Sequence, residues 1–142
     1  MALVLQKTNT TPLKTQVEIF SDFFTDLDIH PVKKDFVRHT NEEAVKRSIK
    51  NLLLTNRGER LFNSDVGSDI RSLLFEQMSP ATEQILEDFI RVTVDNHEPR
   101  AKIEEVQILT DQDTQTVYAT ISFSVINKQE PVVLELILNR IR

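Results

Sequence analysis

The chain has 142 residues, of which 39% are hydrophobic and 27% charged, and its formal net charge at pH 7 is -5. This size and composition predict one globular domain with or without a short arm, and they favour it over a multidomain enzyme. The lack of cysteine excludes disulfides, thiolate zinc sites and a cysteine nucleophile, and two glycines are too few for a phosphate-binding loop.

Charge and hydropathy also limit the partners. Residues 61–139 hold most of the negative charge, whereas a nucleic-acid-binding protein needs a clustered basic face. The basic segment 33–60 is explained by the solvent-facing side of a helix, so we expect no nucleic-acid partner. The apolar start Ala2–Leu5 is too short for a signal peptide, and no stretch approaches the roughly 20 apolar residues of a membrane span. We therefore expect a protein made in the cytoplasm, with no membrane partner.

The N-terminal segment differs from the rest of the chain. Residues 1–18 are rich in Thr, Asn, Gln and Lys and show no period of two or of 3.6 residues. Such a segment buries too little apolar surface to order itself. We predict an extended partner-binding arm over residues 1–18 and a single domain over residues 19–142, in which Val17–Ile29 packs as strand or loop and ends at His30-Pro31.

Three helices are predicted next. Thr40 and Glu43 have the spacing of a capping box, which places the first helix start at Thr40. A second short helix is predicted from Asp69, after a turn that contains Gly67. The predicted inward residues of these two helices are Val45, Ile49, Leu52 and Leu53 in the first, and Ile70, Leu73 and Leu74 in the second.

The third predicted helix has clear signals at both ends. Ser79 is a suitable N-cap, Pro80 suits the first helical position, and Pro99 ends the helix, which should run to about Asn96. Its predicted apolar face consists of Ile85, Leu86, Phe89, Ile90 and Val94.

Three strands are predicted after Pro99, where the apolar period becomes two. The first is Ile103–Leu109, with a bulge at Glu104-Glu105. The second is Thr116–Ile126, with Val117, Ala119, Ile121, Phe123 and Val125 on one face. The third, Val132–Ile141, is almost wholly apolar, which predicts either burial on both faces or a partner that covers one of them.

These elements predict an α+β fold: an N-terminal arm and about three helices packed on a C-terminal antiparallel β-sheet of three or more strands. The three histidines, His30, His39 and His97, are too scattered for a metal site and are better explained as surface or capping residues. Glycoside hydrolysis needs two carboxylates, and Glu98 with Asp95, Glu104 or Glu105 could supply them. Acidic residues are so numerous that such neighbours arise by chance, and no tryptophan is available to stack on a sugar.

The tripeptide Glu98-Pro99-Arg100 is the most informative short segment. Proline fixes its own backbone angle and disfavours a helical Glu98, so we predict an extended segment with the Glu98 and Arg100 side chains on one side. From this chemistry alone, a helix stop followed by an exposed ion pair explains the segment better than a binding site does.

A family resemblance rests on residues that follow one another in order along the chain. They are Asp26-Leu27-Asp28, His30-Pro31, Ala44-Val45, Ser48-Ile49, Leu52-Leu53-Leu54-Thr55, Gly58-Glu59-Arg60, Asp65-Val66-Gly67-Ser68, Leu73-Leu74-Phe75-Glu76 and Glu98-Pro99-Arg100. This succession resembles the baseplate wedge, or sheath-initiator, family of contractile phage tails and type VI secretion systems. The resemblance covers about residues 20–142.

The resemblance implies a structural baseplate subunit and not an enzyme, with no cofactor. It implies that Glu98, Pro99 and Arg100 dock on the helical core of the baseplate wedge, and that an incoming sheath arm adds a strand to the sheet, which templates sheath polymerisation. The implied partners are the tail-sheath subunit and baseplate wedge proteins, with tail-tube or hub proteins as further candidates. Several copies would surround a symmetric baseplate in the virion, after assembly in the host cytoplasm. The family has also been described as lysozyme-like, and the alternative is a peptidoglycan-cleaving glycoside hydrolase.

Overall fold

The structure is a computed structural model that describes residues 19–24, 27–111, 113–126 and 130–139, so the predicted arm over residues 1–18 lies outside the described residues. The elements are, in order, β1 (Ser21–Phe23), β2 (Arg38–Thr40), α1 (Asn41–Leu54), α2 (Ile70–Leu73), α3 (Pro80–His97), β3 (Ala101–Asp111), β4 (Thr116–Val125) and β5 (Val132–Asn139). Three helices followed by an antiparallel sheet confirm the predicted α+β class. None of the described helices combines the length and apolar character needed to cross a bilayer.

The C-terminal sheet has the strand order β3-β4-β5, and both pairs are antiparallel. Its inner face packs on the helices and forms most of the apolar core. The predicted inward residues of β4 are all buried, which confirms the alternation. The register of β3 against β4 shifts between Ile103 and Glu105, which confirms the predicted bulge.

The last strand does not have two buried faces. Val132, Leu134, Leu136 and Leu138 are buried, whereas Val133, Glu135, Ile137 and Asn139 are exposed. The prediction of burial on both faces is therefore wrong for the described chain, because the helices cover only one side of the sheet. The other alternative, a cover supplied by a partner, stays a prediction.

The start of α1 differs from the predicted capping box. Thr40 is the N-cap residue, but its side chain makes no cap hydrogen bond. The next residue, Asn41, has a positive φ of 51°, a conformation that asparagine tolerates better than most residues. Its Oδ1 accepts a hydrogen bond of 2.8 Å from the amide of Ile19, and its amide donates one of 2.7 Å to the carbonyl of Phe20. These bonds fix the chain before β1 to the start of α1.

The predicted boundaries of α3 are confirmed to within one residue. The Oγ of Ser79 accepts a hydrogen bond from the amide of Thr82, and Pro80 occupies the first turn. Ile85, predicted to face inward, is 45% exposed. The buried stripe is centred on Leu86, Ile90 and Val94, and Ile85 lies about 100° around the helix from Leu86.

A second, small sheet forms before α1, where β1 pairs antiparallel with β2. The sequence predicted strand or loop for the region of β1, but it gave no sign of β2. The ring of Phe24 stacks on His39 with ring centroids 4.6 Å apart, and Phe23 meets Phe36 edge-on. This sheet places Phe20 and Asp22 beside the end of α3.

Candidate functional site

Glu98, Pro99 and Arg100 form a tight turn that joins α3 to β3. The amide of Glu98 makes the last helical hydrogen bond, to the carbonyl of Val94, and the amide of Ala101 donates to the carbonyl of Glu98 at 3.1 Å. The predicted extended segment is therefore wrong. The chain reverses here because α3 packs back against β3, which begins at Ala101, and the fixed φ of proline suits the second position of a turn.

The side chains of Glu98 and Arg100 meet in a two-point contact. The Nε of Arg100 lies 2.6 Å from Oε1 of Glu98, and Nη2 lies 2.8 Å from Oε2. Glu98 is only 3% exposed and Arg100 is partly buried, so the predicted exposed ion pair is wrong for the carboxylate. Paired charge-assisted bonds of this kind are stronger and more directional than single ones.

Residues from two other parts of the chain surround the Glu98–Arg100 pair. The Cζ of Arg100 lies 5.5 Å from the ring centroid of Phe20, within the range of a cation–π interaction. Asp22 of β1 adds an attractive charge, and the side chain of Ser48 on α1 makes a hydrogen bond with Glu98. The turn is therefore held by α1, by α3 and by the segment at β1.

The electrostatics of the pair keep both groups charged. Burial by itself raises the pKa of Glu98, but the hydrogen bonds from Arg100 and Ser48 and the charge of Arg100 outweigh it, so this pKa lies below its usual range. The hydrogen bond to Glu98 raises the pKa of Arg100, and burial only partly opposes this effect. A glycosidase acid needs a raised pKa and a proton to donate. Glu98 has neither property.

The histidines have separate local roles. Nδ1 of His30 accepts hydrogen bonds of 3.2 Å from the amides of Val32 and Lys33, which confirms a capping role for this residue. His39 stacks on Phe24, and His97 lines a polar cleft of about 370 Å³ with Asp22, Ser48 and Arg60. Within the described ranges, no three His, Asp or Glu side chains converge as metal ligands.

The second feature of interest is the outer edge of β5, with which no described strand pairs. The amide of Ile126 donates to the carbonyl of Arg100, its opposite residue, so even-numbered residues near the end of β4 bond to β3. Odd-numbered residues of β4 then bond to the even-numbered residues of β5. It follows that the odd-numbered residues of β5 direct their amides and carbonyls to the open edge; these are Val133, Glu135, Ile137 and Asn139.

The solvent-facing side of the sheet carries a short apolar row that ends at this edge. Leu109 lies opposite Tyr118, and Tyr118 lies opposite Ile137. All three are exposed, with Leu109 at 67% and Ile137 at 65%. A strand added beside β5 would extend this row by one residue.

Sequence reasoning singled out Glu98, Pro99 and Arg100 and the apolar character of β5, but it missed Phe20, Asp22 and Ser48. These residues lie far from Arg100 along the chain, and only the folded backbone brings them to the turn. No local signal in the sequence could have found them.

Comparison with known proteins identifies a family and a relative in a contractile phage. The sequence profile of the family described as Baseplate wedge protein gp25 matches residues 39–130, a span that includes the Glu98–Arg100 turn and ends before β5. Baseplate wedge protein gp25 of Enterobacteria phage T4 is 36% identical over 110 residues, which cover 74% of this chain and 83% of that protein.

Solved structures share the fold at lower identity. A Geobacter sulfurreducens protein whose crystal structure bears the name tail lysozyme is 22% identical, with a TM-score of 0.69 over 75% of this chain and 96% of that chain. A chain of the anti-feeding prophage baseplate is 23% identical, with a TM-score of 0.69 over 78% of this chain and 89% of that chain. A chain of the type VI secretion system baseplate complex is 18% identical, with a TM-score of 0.58 over 68% of this chain and 90% of that chain.

Proposed function

The chain belongs to the baseplate wedge protein gp25 family, and from this premise we propose that it is the baseplate subunit on which the sheath of a contractile tail starts to assemble. In this proposal the Glu98–Arg100 turn docks on other wedge proteins and the open edge of β5 accepts a strand from the first sheath subunits. Several copies act together around a symmetric baseplate.

The observation that carries the proposal is the open edge of β5. Four successive odd-numbered residues direct backbone donors and acceptors to a side where no described strand pairs with them, and such an edge is a template for another strand. Proteins that remain alone usually protect such edges with charge, proline or a bulge. In β5 the single charged side chain is Glu135 and the register against β4 is unbroken.

The different exposures of Glu98 and Arg100 support the docking role proposed for the turn. Glu98 is buried and bound at both oxygens, so its contribution is to hold Arg100 in place. A guanidinium has five N–H donors, of which two bind Glu98. No hydrogen bond from the other three to a described residue is observed, and in this proposal they bind a carboxylate or a carbonyl group of a wedge partner.

The edge can be tested by removing one backbone donor without removing a core side chain. Glu135→Pro deletes an amide that faces the open edge and leaves the hydrogen bonds between β4 and β5 intact. We expect purified baseplates that contain this variant to fail to start sheath polymerisation. Glu135→Ala, which loses the same side chain but keeps the amide, is the matched control and should support normal sheath growth. Normal growth on baseplates with folded Glu135→Pro would refute strand addition at β5.

A further inference from the structure

An apolar groove lies beside the open edge of β5, between this strand and α2. Its lining includes Leu54, Leu74 and Phe75 from the helical side, and Ile137 and Leu138 from β5. Its volume is about 200 Å³, larger than the roughly 150 Å³ apolar cavity that is known to hold benzene. We name it the edge groove.

The position of the edge groove matches the alternation of an added strand. Residues directly opposite one another in paired strands point to the same face of the sheet. A residue placed opposite Leu138 would therefore point toward the helices, as Leu138 does, and would enter the groove. Leu54 and Phe75 on its rim are apolar yet 51% and 60% exposed, so a side chain placed there would cover apolar surface that now faces solvent.

A positive charge in the edge groove indicates which side chains a bound strand would carry. Arg71 also lines the edge groove, and no carboxylate among the described residues lies within 4.0 Å of its guanidinium. The nearby Asp69 pairs instead with Arg57, at 3.5 Å. A carboxylate on a strand bound in the groove could approach the exposed guanidinium of Arg71 and form an ion pair with it.

We infer that the edge groove is the side-chain pocket for the strand added to β5. Its occupant is an extended segment of the incoming sheath chain, with a large apolar residue opposite Leu138 and a carboxylate at the next position on the same face. This inference rests on the proposed strand addition, and it specifies which side chains of the added strand bind beside β5.

A fused strand tests this inference in the full chain. A flexible Gly/Ser linker of about ten residues after Arg142 reaches back along β5 and carries the segment Thr-X-Thr-X-Thr-X-Thr, where X is Leu or Ser. A third fusion has X as Leu and proline at the central Thr, which weakens strand pairing. Hydrogen exchange of the Val133, Glu135 and Ile137 amides reports pairing at the edge.

We expect the Leu strand to slow exchange of these amides at least about tenfold more than the Ser strand does, because several methylene groups are buried. Leu54→Ser or Phe75→Ser should reduce this ratio, whereas Val92→Ser, at an equally exposed site on α3, should leave it unchanged. Equal protection by the Leu and Ser strands would contradict the assignment of the edge groove as a side-chain pocket, but it would not contradict strand addition at β5. If neither strand protects the edge amides more than the proline fusion does, both strand addition at β5 and the assignment of the pocket are contradicted.

The carboxylate is tested in the same fusions. In the Leu strand, a Glu in place of the X at one end should slow exchange of the edge amides more than a Lys at the same position. In the Arg71→Glu variant we expect the opposite, with more protection by the Lys strand than by the Glu strand. Lys50→Glu makes the same charge change at an exposed site outside the groove lining and should not reverse the order of the two strands. If the order stays the same in Arg71→Glu, the assignment of a carboxylate is wrong.

Discussion

The guanidinium of Arg100 donates hydrogen bonds of 2.6 and 2.8 Å to the two carboxylate oxygens of Glu98, from which it is separated along the chain only by Pro99. Because the Glu98 side chain is only 4% exposed, a partner cannot reach it, whereas the partly buried Arg100 side chain is 31% exposed. The contact between the two side chains explains why a segment that resembles a catalytic carboxylate site has the wrong chemistry for an acid.

Glu98→Gln should lower the free energy of unfolding by about 1–3 kcal/mol, because it removes a charged acceptor bound at two points. The measurement is urea denaturation at pH 7. Glu87→Gln is the matched control, since the Glu87–Arg91 pair is about one third exposed, and it should cost under about 1 kcal/mol. Equal losses in the two variants would show that burial adds nothing to the Glu98 pair.

The stability contributed by Glu98 should depend on pH in one direction. Its pKa lies below the ordinary value of 4.5 in the folded chain, so its contribution is complete above 4.5 and is lost as the pH falls through the folded-state value. The difference in unfolding free energy between the wild type and Glu98→Gln should therefore be largest near pH 7 and shrink in acid. Comparison with this variant also separates Glu98 from Asp111, whose pKa is lowered by hydrogen bonds from Thr114 and Asp113. If the difference in unfolding free energy between the wild type and Glu98→Gln were the same at pH 7 and pH 3, the lowered pKa of Glu98 would be contradicted.

Arg100→Lys should block incorporation of the subunit into baseplates while the chain stays folded. Lysine keeps the positive charge beside Glu98 and Asp22 but lacks the planar fork that fixes direction. Arg100→Glu is a poorer choice, because it would place a second carboxylate against the buried one. Co-purification with wedge proteins is the measurement, with Arg91→Lys on α3 as control. Complete baseplates with Arg100→Lys would contradict a docking role for the guanidinium.

Gly67→Ala should destabilise the protein by more than about 2 kcal/mol, since both the backbone angle and the space require glycine. Gly67 has φ of 134°, and a Cβ there would lie 2.7 Å from the carbonyl oxygen of Thr55. Gly58→Ala is the matched control: Gly58 also has positive φ, but a Cβ would meet nothing within 4 Å. We expect a loss of only about 1–2 kcal/mol there. Thermal unfolding of both variants would check the difference, and equal losses would contradict it.

The sequence was most informative where the signal is local. Ser79, Pro80 and Pro99 determine the limits of α3 through capping and the missing amide of proline, and the strict alternation in β4 determines its inward face. The bulge in β3 was visible because two adjacent glutamates interrupt the apolar period. Ile85 shows the limit of such patterns, because apolar spacing indicates a face but not its exact centre.

The sequence by itself determined the α+β class, the order of the three helices and the last three strands, and the apolar character of β5, because each follows from the local pattern of apolar residues, caps and prolines. Only the tertiary structure decided that one face of β5 is uncovered, that its odd-numbered amides face the open edge, and that Phe20, Asp22 and Ser48 surround the Glu98–Arg100 pair. The reason is physical: the apolar period of a segment shows that one of its faces is buried, but it does not show which distant segment covers that face.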